Sequence, residues 1–284
     1  MTEKLVIDIH LKYETLVPEE LPDNVIGVIL KITEAEGYEY ETEHKVLDMI
    51  KRIYDTGRLV GLYHFYRSFT YSDPNYKQLG IYQLDNYLEN SLPVSNLLAW
   101  EVLDLETYYS TQWKRELNPP HKDIITDIFE FFSGLHKNRP GSKHLLYSNQ
   151  NTFQVWGLHD WYGKFKYQDE TWWMMEMVDY LWEAYYSSQE PGGLSPLESK
   201  QYLWQYTDKA YVSGVYDPSG KDPTQVDVNR IQIPFYQFLE SISEDRRGMF
   251  TLLNKEKTDE ANIQTVPIIR RGPGSRGPHR VKPR

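Results

Sequence analysis

The chain contains no cysteine, which excludes a disulfide framework, a thiolate metal site and a cysteine nucleophile. Whatever fold it adopts is held by its core alone. No run approaches the ~20 continuous apolar residues of a membrane-spanning helix. Met1 to Lys4 lead straight into a strand-like segment where a signal peptide would have its apolar core. Neither a membrane partner nor a signal peptide is therefore expected. Acidic residues are missing from one end: Arg270 to Arg284 holds six of the 31 Lys/Arg and none of the 41 Asp/Glu. The rest of the chain is strongly acidic. A body of that sign lacks the clustered cations that phosphate contacts require, which argues against nucleic acid as a partner.

What is present suits a globular protein, since 284 residues at 40% hydrophobic content are ample for a buried core. Aromatic side chains are plentiful, with 23 Tyr, 10 Phe and 8 Trp. Composition leaves two uses open for them: exposed rings that pack on the apolar faces of sugars, and Tyr in place of Phe at half-buried strand positions. Short apolar runs recur at Leu5 to Ile9, Val25 to Ile32, Leu59 to Phe65, Leu97 to Leu105 and His144 to Tyr147. Each is continuous in apolar character, as in parallel strands covered on both faces. Between them, Glu43 to Thr56, Gln83 to Asn90 and Lys122 to Leu135 space their apolar residues by three and four, which predicts helices.

Alternating strand and helix leaves a β/α barrel or an open doubly wound sheet. A dinucleotide-binding sheet needs a glycine-rich turn after its first strand, and IDIHLKYE has no glycine. The expected fold is thus an α/β barrel, TIM-like and irregular or flattened, over residues 1–234. Tyr180 to Tyr186 and Gln201 to Tyr206 supply its late strands. Glu190 to Pro196 and Asp217 to Pro223 read as turn-rich loops, and Trp172, Trp173, Met174, Met175 and Met177 as a packing patch. Residues 235–284 form an extension: a short helix over Phe235 to Ser243, then a polar segment and a basic tail too poor in apolar surface to order itself.

Functional residues of a barrel sit where its strands end, at their C-terminal side. The polar residues there are Asp8, Lys31 with Glu34, His64, Asp104 with Glu106, and Tyr147. LDLE at Leu103 to Glu106 is the central feature. On a strand, positions i and i+2 share a face about 6.6 Å apart, so both carboxyls look into one cavity while Leu103 and Leu105 face the opposite layer. Two carboxyls that close do not ionise independently, and the one that keeps its proton becomes a general acid near neutral pH. Cleavage of a glycosidic bond requires such a pair. A salt-bridged strand end is the alternative reading of DxE by itself.

Eight ordered segments carry a resemblance: VIDIH, VILKITEAEG, GLYHFYR, VLDLE, LLYSN, LWEAYY, LWQYTD and VDVN. Together they resemble the family-25 glycoside hydrolases, lysozymes of bacteriophages, bacteria and some fungi, over approximately residues 4 to 230. The resemblance implies hydrolysis of the β-1,4 bond between N-acetylmuramic acid and N-acetylglucosamine in peptidoglycan. Glu106 matches the family's proton donor. Asp104 matches the residue that assists the substrate's own N-acetyl group or the developing charge. Asp8 matches a further acidic catalytic position, and Asp227 an acidic residue at the cleft. Tyr63, Phe65, Tyr147, Trp182 and Trp204 match sugar contacts, and Gln205 a hydrogen-bonding partner. The chain departs from the pattern after Asp8, where Ile9 and His10 replace a serine, and at Ala35 and Glu36, inserted before Gly37.

No cofactor is implied, and the eight histidines show no ligand spacing such as HxxxH. The partners expected are peptidoglycan glycan strands and, through the basic tail, anionic wall polymers or a phage structural protein. With no export signal, the economical expectation is a phage or prophage enzyme, released by a holin or carried on the virion and acting at the bacterial wall. A non-catalytic glycan-binding or virion structural protein on the same barrel is the alternative, and a chitin-type hydrolase is a further one.

Overall fold

The computed structural model describes residues 3–35, 43–67, 79–106, 108–110, 115–117, 124–149, 152, 164–167, 170–173, 178–187, 201–233 and 235–242. Eight strands close into a barrel: β1 (Leu5–Ile9), β2 (Val25–Glu34), β3 (Leu59–Phe65), β4 (Leu98–Asp104), β5 (Lys143–Asn149), β6 (Tyr180–Ala184), β7 (Gln201–Tyr216) and β8 (Pro223–Ile231). They pair in chain order. Every pairing from β1 to β7 is parallel, while β8 runs antiparallel to both β7 and β1 and seals the ring. The barrel is thus irregular, with one strand reversed.

Helices α1 (Glu43–Asp55), α2 (Gly80–Ser91) and α3 (Ile124–Asn138) cross from β2 to β3, β3 to β4 and β4 to β5. Their buried faces follow the helical repeat, with Val46, Ile50 and Ile53 on α1 and Ile128, Phe131, Phe132 and Leu135 on α3. This layer meets the outward residues of strands that are covered on both sides. All ten residues of β2 are buried, the apolar run Val25–Leu30 between two cores and Lys31, Thr33 and Glu34 at its end.

A second core fills the barrel. Trp100, on the inward face of β4, reaches across to Gly27, where a Cβ would lie 2.6 Å from its Cη2. Beneath it, helix α4 (Phe235–Ser241) inserts Phe238, whose ring stacks on Tyr202 at 5.0 Å and lies 5.7 Å from Trp100. This helix belongs to the same compact unit as the barrel. Trp100 and Phe238 close the end of the barrel where its parallel strands begin and leave the other end open.

Two stretches differ from the expectation. Strand β7 continues ten residues past Tyr206 to Tyr216, and β8 extends the VDVN motif in both directions. The outer half of β7 pairs with β8 and with Thr15–Leu16, outside the ring of parallel strands. Most of its residues stay partly or fully exposed, with only Gly214 and Val215 buried, so they lack the continuous apolar run that marks the other strands. The turn after it forms as expected, with the Ser219 hydroxyl donating to Asp217 and Gly220 at φ 72°. Trp172 and Trp173 lie on a strand, Glu170–Trp173, paired with Lys164–Tyr167. Met174, Met175, Met177, the Glu190 to Pro196 loop and the basic tail lie outside the described residues.

Candidate active site

At the open end, where the parallel strands finish, a cavity of about 260 Å³ is walled by residues on the barrel strands or just beyond their ends. Strand β4 delivers the two central carboxyls. Its inward positions are Trp100, Val102 and Asp104, and Glu106 continues the alternation two residues on, so both Asp104 and Glu106 line the cavity. Leu103 and Leu105 are fully buried in the opposite layer, which fixes the register. Backbone bonds hold the pair from both sides: Tyr66 N–H donates to Asp104 O at 2.9 Å and Leu105 N–H to Tyr147 O at 2.9 Å. The Ser148 hydroxyl donates to Leu105 O at 2.6 Å. A site supported in this way keeps its geometry when substrate arrives.

A second pair of acids faces the first. Asp8 on β1 and Asp227 on β8 are direct partners across the antiparallel ladder. Burial raises Asp8 to about 6, opposed by hydrogen bonds from Asn229 and Gln205. Burial raises Asp227 further, to about 9, and the adjacent Asp8 charge adds to it. Asp227 therefore keeps its proton and gives it to Asp8 in a hydrogen bond. Of the central pair, Asp104 is held well above the usual carboxylate range by burial first and by the Glu106 charge second. Glu106 is raised by burial, with the neighbouring Tyr147 hydroxyl acting against the rise. Their titration belongs to the pair rather than to either residue.

Uncharged donors tie the acids together. The Tyr147 and Tyr186 hydroxyls donate to Gln205 Oε1 at 2.7 and 2.9 Å, and Gln205 Nε2 donates to Asp8 Oδ2 at 3.2 Å. Trp182 Nε1 donates to Asn229 Oδ1 at 2.6 Å, and Asn229 Nδ2 donates to Asp8 Oδ2 at 2.8 Å. On the facing wall, Lys31 bonds Glu34 at 2.6 Å, and Arg67 reaches the other Glu34 oxygen at 2.6 Å. The Phe65 ring carries Lys31 Nζ at 4.6 Å and Arg67 at 4.4 Å from its centroid. Both cations draw Asp104 and Glu106 back toward ionisation, so the cavity is acidic without being uniformly charged.

Residues 21–215, about two thirds of the chain, match the sequence profile of glycosyl hydrolases family 25. The chain belongs to that family. It is accordingly a glycoside hydrolase. No curated protein sequence matches it. Solved structures share its fold. A bacterial lysozyme from Streptomyces coelicolor superposes with TM-score 0.62 at 18% identity, covering 85% of this chain and 97% of that one. The catalytic domain of the endolysin ply40, from bacteriophage P40 of Listeria monocytogenes, gives 0.56 at 16% identity, covering 84% and 98%. A muramidase from Acremonium alcalophilum gives 0.54 at 16%, with the same coverage.

Within this hydrolase, nine of the ten residues singled out from sequence converge on the cavity: Glu106, Asp104, Asp8, Tyr63, Phe65, Tyr147, Trp182, Gln205 and Asp227. Trp204 does not. Neighbours on a strand point to opposite faces, so with Gln205 inside the barrel Trp204 is turned out. There it is fully buried, donating Nε1–H to Tyr185 O at 2.7 Å beneath the Arg230 guanidinium. His64 also faces outward, bonded to Thr33 and Gln83, and burial lowers it to about 4, so it stays neutral. His10 lies on the cavity wall, lowered to about 4 by burial and then by Lys31. Tyr186 lines the cavity unforeseen, although it ends the LWEAYY segment and shares the inward parity of Trp182 and Ala184. Among the described residues, the cluster with metal-ligand chemistry is His136, His144 and Asp179, at the other end of the strands.

Proposed function

We propose that this glycoside hydrolase is a muramidase, cutting the β-1,4 bond between N-acetylmuramic acid and N-acetylglucosamine in peptidoglycan. The observation that carries the reading is the placement of Asp104 and Glu106 on one wall of a buried cavity, each with its proton held more tightly than in water. Glu106, beside Tyr147, gives its proton to the leaving glycosidic oxygen and later takes one from water. Asp104 orients the substrate N-acetyl group or answers the positive charge that develops at the sugar. Asp8 and Asp227, sharing one proton, add a single negative charge opposite that pair. Tyr63, Phe65, Tyr147 and Trp182 offer ring faces and edges to the sugars, while Gln205 fixes the hydroxyls beside Asp8. Trp204, facing outward, supports β7 and through it Gln205.

The lysozyme, endolysin and muramidase names of the structural neighbours support the substrate class. The barrel performs the cut in this reading. The basic tail from Arg270 to Arg284, in the extension 235–284, holds the enzyme to anionic wall polymers, and the enzyme acts at the bacterial wall.

The test is lysis of insoluble peptidoglycan by the native chain and by Glu106→Gln, followed by turbidity, new reducing ends and mass spectrometry of the fragments. Native enzyme should release fragments ending in reducing N-acetylmuramic acid, and the isosteric variant should be slower by a factor of ~10² or more. If both proteins bind walls and neither cuts, the chain is a glycan-binding or virion structural component.

A further inference from the structure

The end of the barrel opposite the cavity carries a group of side chains that the hydrolase chemistry does not use. His136 lies in the last turn of α3, His144 is the second residue of β5, and Asp179 immediately precedes β6. One ligand atom from each falls within 4.8 Å of the other two. Three separate elements meet there.

The hydrogen bonding of His144 fixes its tautomer. Nε2 faces the backbone oxygen of Arg139 at 3.2 Å and Ser142 Oγ at 3.3 Å. A carbonyl oxygen only accepts, so the proton sits on Nε2 and Nδ1 presents a lone pair. That Nδ1 is buried and has no hydrogen-bond partner among the described residues. What it faces is Asp179 Oδ2, 3.8 Å away. Such a separation is too long for a hydrogen bond. A buried lone pair set against a carboxylate is repulsive unless a cation stands between them. His136 approaches from the side, its ring perpendicular to that of His144 with centroids 4.3 Å apart.

We propose that His136, His144 and Asp179 bind a divalent transition-metal ion of the zinc type, in a site that ties the end of α3 to the starts of β5 and β6. Two imidazoles and one carboxylate suit zinc and its neighbours, whereas calcium and magnesium require oxygen ligands. Ligands 2.0–2.1 Å from zinc stand roughly 3.3 Å apart at tetrahedral angles, so the group needs to contract only modestly. Asp179, whose side chain is 27% exposed, can turn and gives the ion a way in from solvent. The outer shell is already built. His144 Nε2–H donates to a carbonyl, which orients the ring, and His144 N–H donates to Asp179 Oδ2 at 2.9 Å. Water completes the coordination. The ion acts on stability and takes no part in the cut.

Zinc chloride titrated into the metal-stripped full chain tests this by calorimetry and by thermal unfolding. The expected result is one tightly bound zinc per chain, with Tm rising by roughly 5–10 °C at a hundredfold excess over Kd. Asp179→Asn keeps an acceptor for His144 N–H but loses the charge, and His136→Ala removes one imidazole from a helix that tolerates alanine. Each should weaken zinc by about 10- to 100-fold or more and abolish the Tm shift, with zinc-free far-UV circular dichroism and wall lysis unchanged. If one variant fails to fold, the other decides. Absence of a one-zinc event in the native chain overturns the site, as does native zinc affinity in a folded variant.

Discussion

Asp227 shows at the scale of one residue what an acidic cavity asks of the fold. Its carboxyl rises from an ordinary 3.8 to about 9, by burial and by the Asp8 charge, so the folded chain holds this proton more tightly than the unfolded chain does. Stability falls with pH wherever the native state binds more protons. The contribution is therefore complete below about pH 4 and is lost progressively as pH rises toward 9. Asp227→Asn keeps the size of the side chain and supplies a permanent N–H donor to Asp8, with no proton left to lose. Its Tm should equal that of the native enzyme near pH 4 and exceed it by several degrees at pH 8, at the expense of hydrolytic rate. A Tm difference that does not grow between those two pH values would sink this account. The same parity that pairs these acids separates Trp204 from Gln205. Alternation along β7 was readable in the sequence and excluded having both in the cavity, although a motif that names the two together hides it.

At the scale of the element, the strands that the sequence revealed are those buried on both faces. Leu59–Phe65 is delimited by its apolar run alone, and Val25–Glu34 nearly so, because parallel strands between two cores need unbroken apolar character. The outer half of β7 escaped because a half-exposed hairpin needs only alternation, which TDKAYVSGVY supplies weakly. The candidate metal cluster was illegible for another reason: its ligands come from a helix, a strand and a loop, and no local spacing encodes that meeting. Gly27 illustrates a tertiary demand of the same kind. A methyl there would lie 2.6 Å from Trp100 Cη2, and the ring is held from below by Phe238 and by the 3.4 Å bond from its Nε1–H to the Tyr202 hydroxyl. Gly27→Ala should cost about 1–3 kcal/mol through overpacking, a fall in Tm of roughly 3–10 °C, although alanine suits a strand better than glycine does. An unchanged Tm would mean that Trp100 repacks freely and is not the fixed floor of the barrel.

The whole molecule separates its tasks along the barrel axis: acids and rings gather where the parallel strands end, and Trp100, Phe238 and the candidate zinc ligands where they begin. Charge is divided along the chain as well. The formal charge is −10, and six positive charges stand in the last fifteen residues without a single acid, so removing residues 270–284 takes the charge to −16. An acidic body is repelled by a polyanionic wall, and the repulsion acts across a screening length of about 30 Å at 0.01 M salt but only about 8 Å at 0.15 M. A chain ending at residue 269 should therefore sediment with insoluble walls less than the full chain at 0.01 M salt, and about equally at 0.3 M. Hydrolysis of small soluble glycan fragments should be the same for both chains at either salt, because the cavity is untouched and a small fragment has no extended polyanionic surface for the tail to hold. Equal sedimentation at low salt would remove the tail from wall binding. A loss confined to soluble fragments would place the tail's effect at the cavity instead.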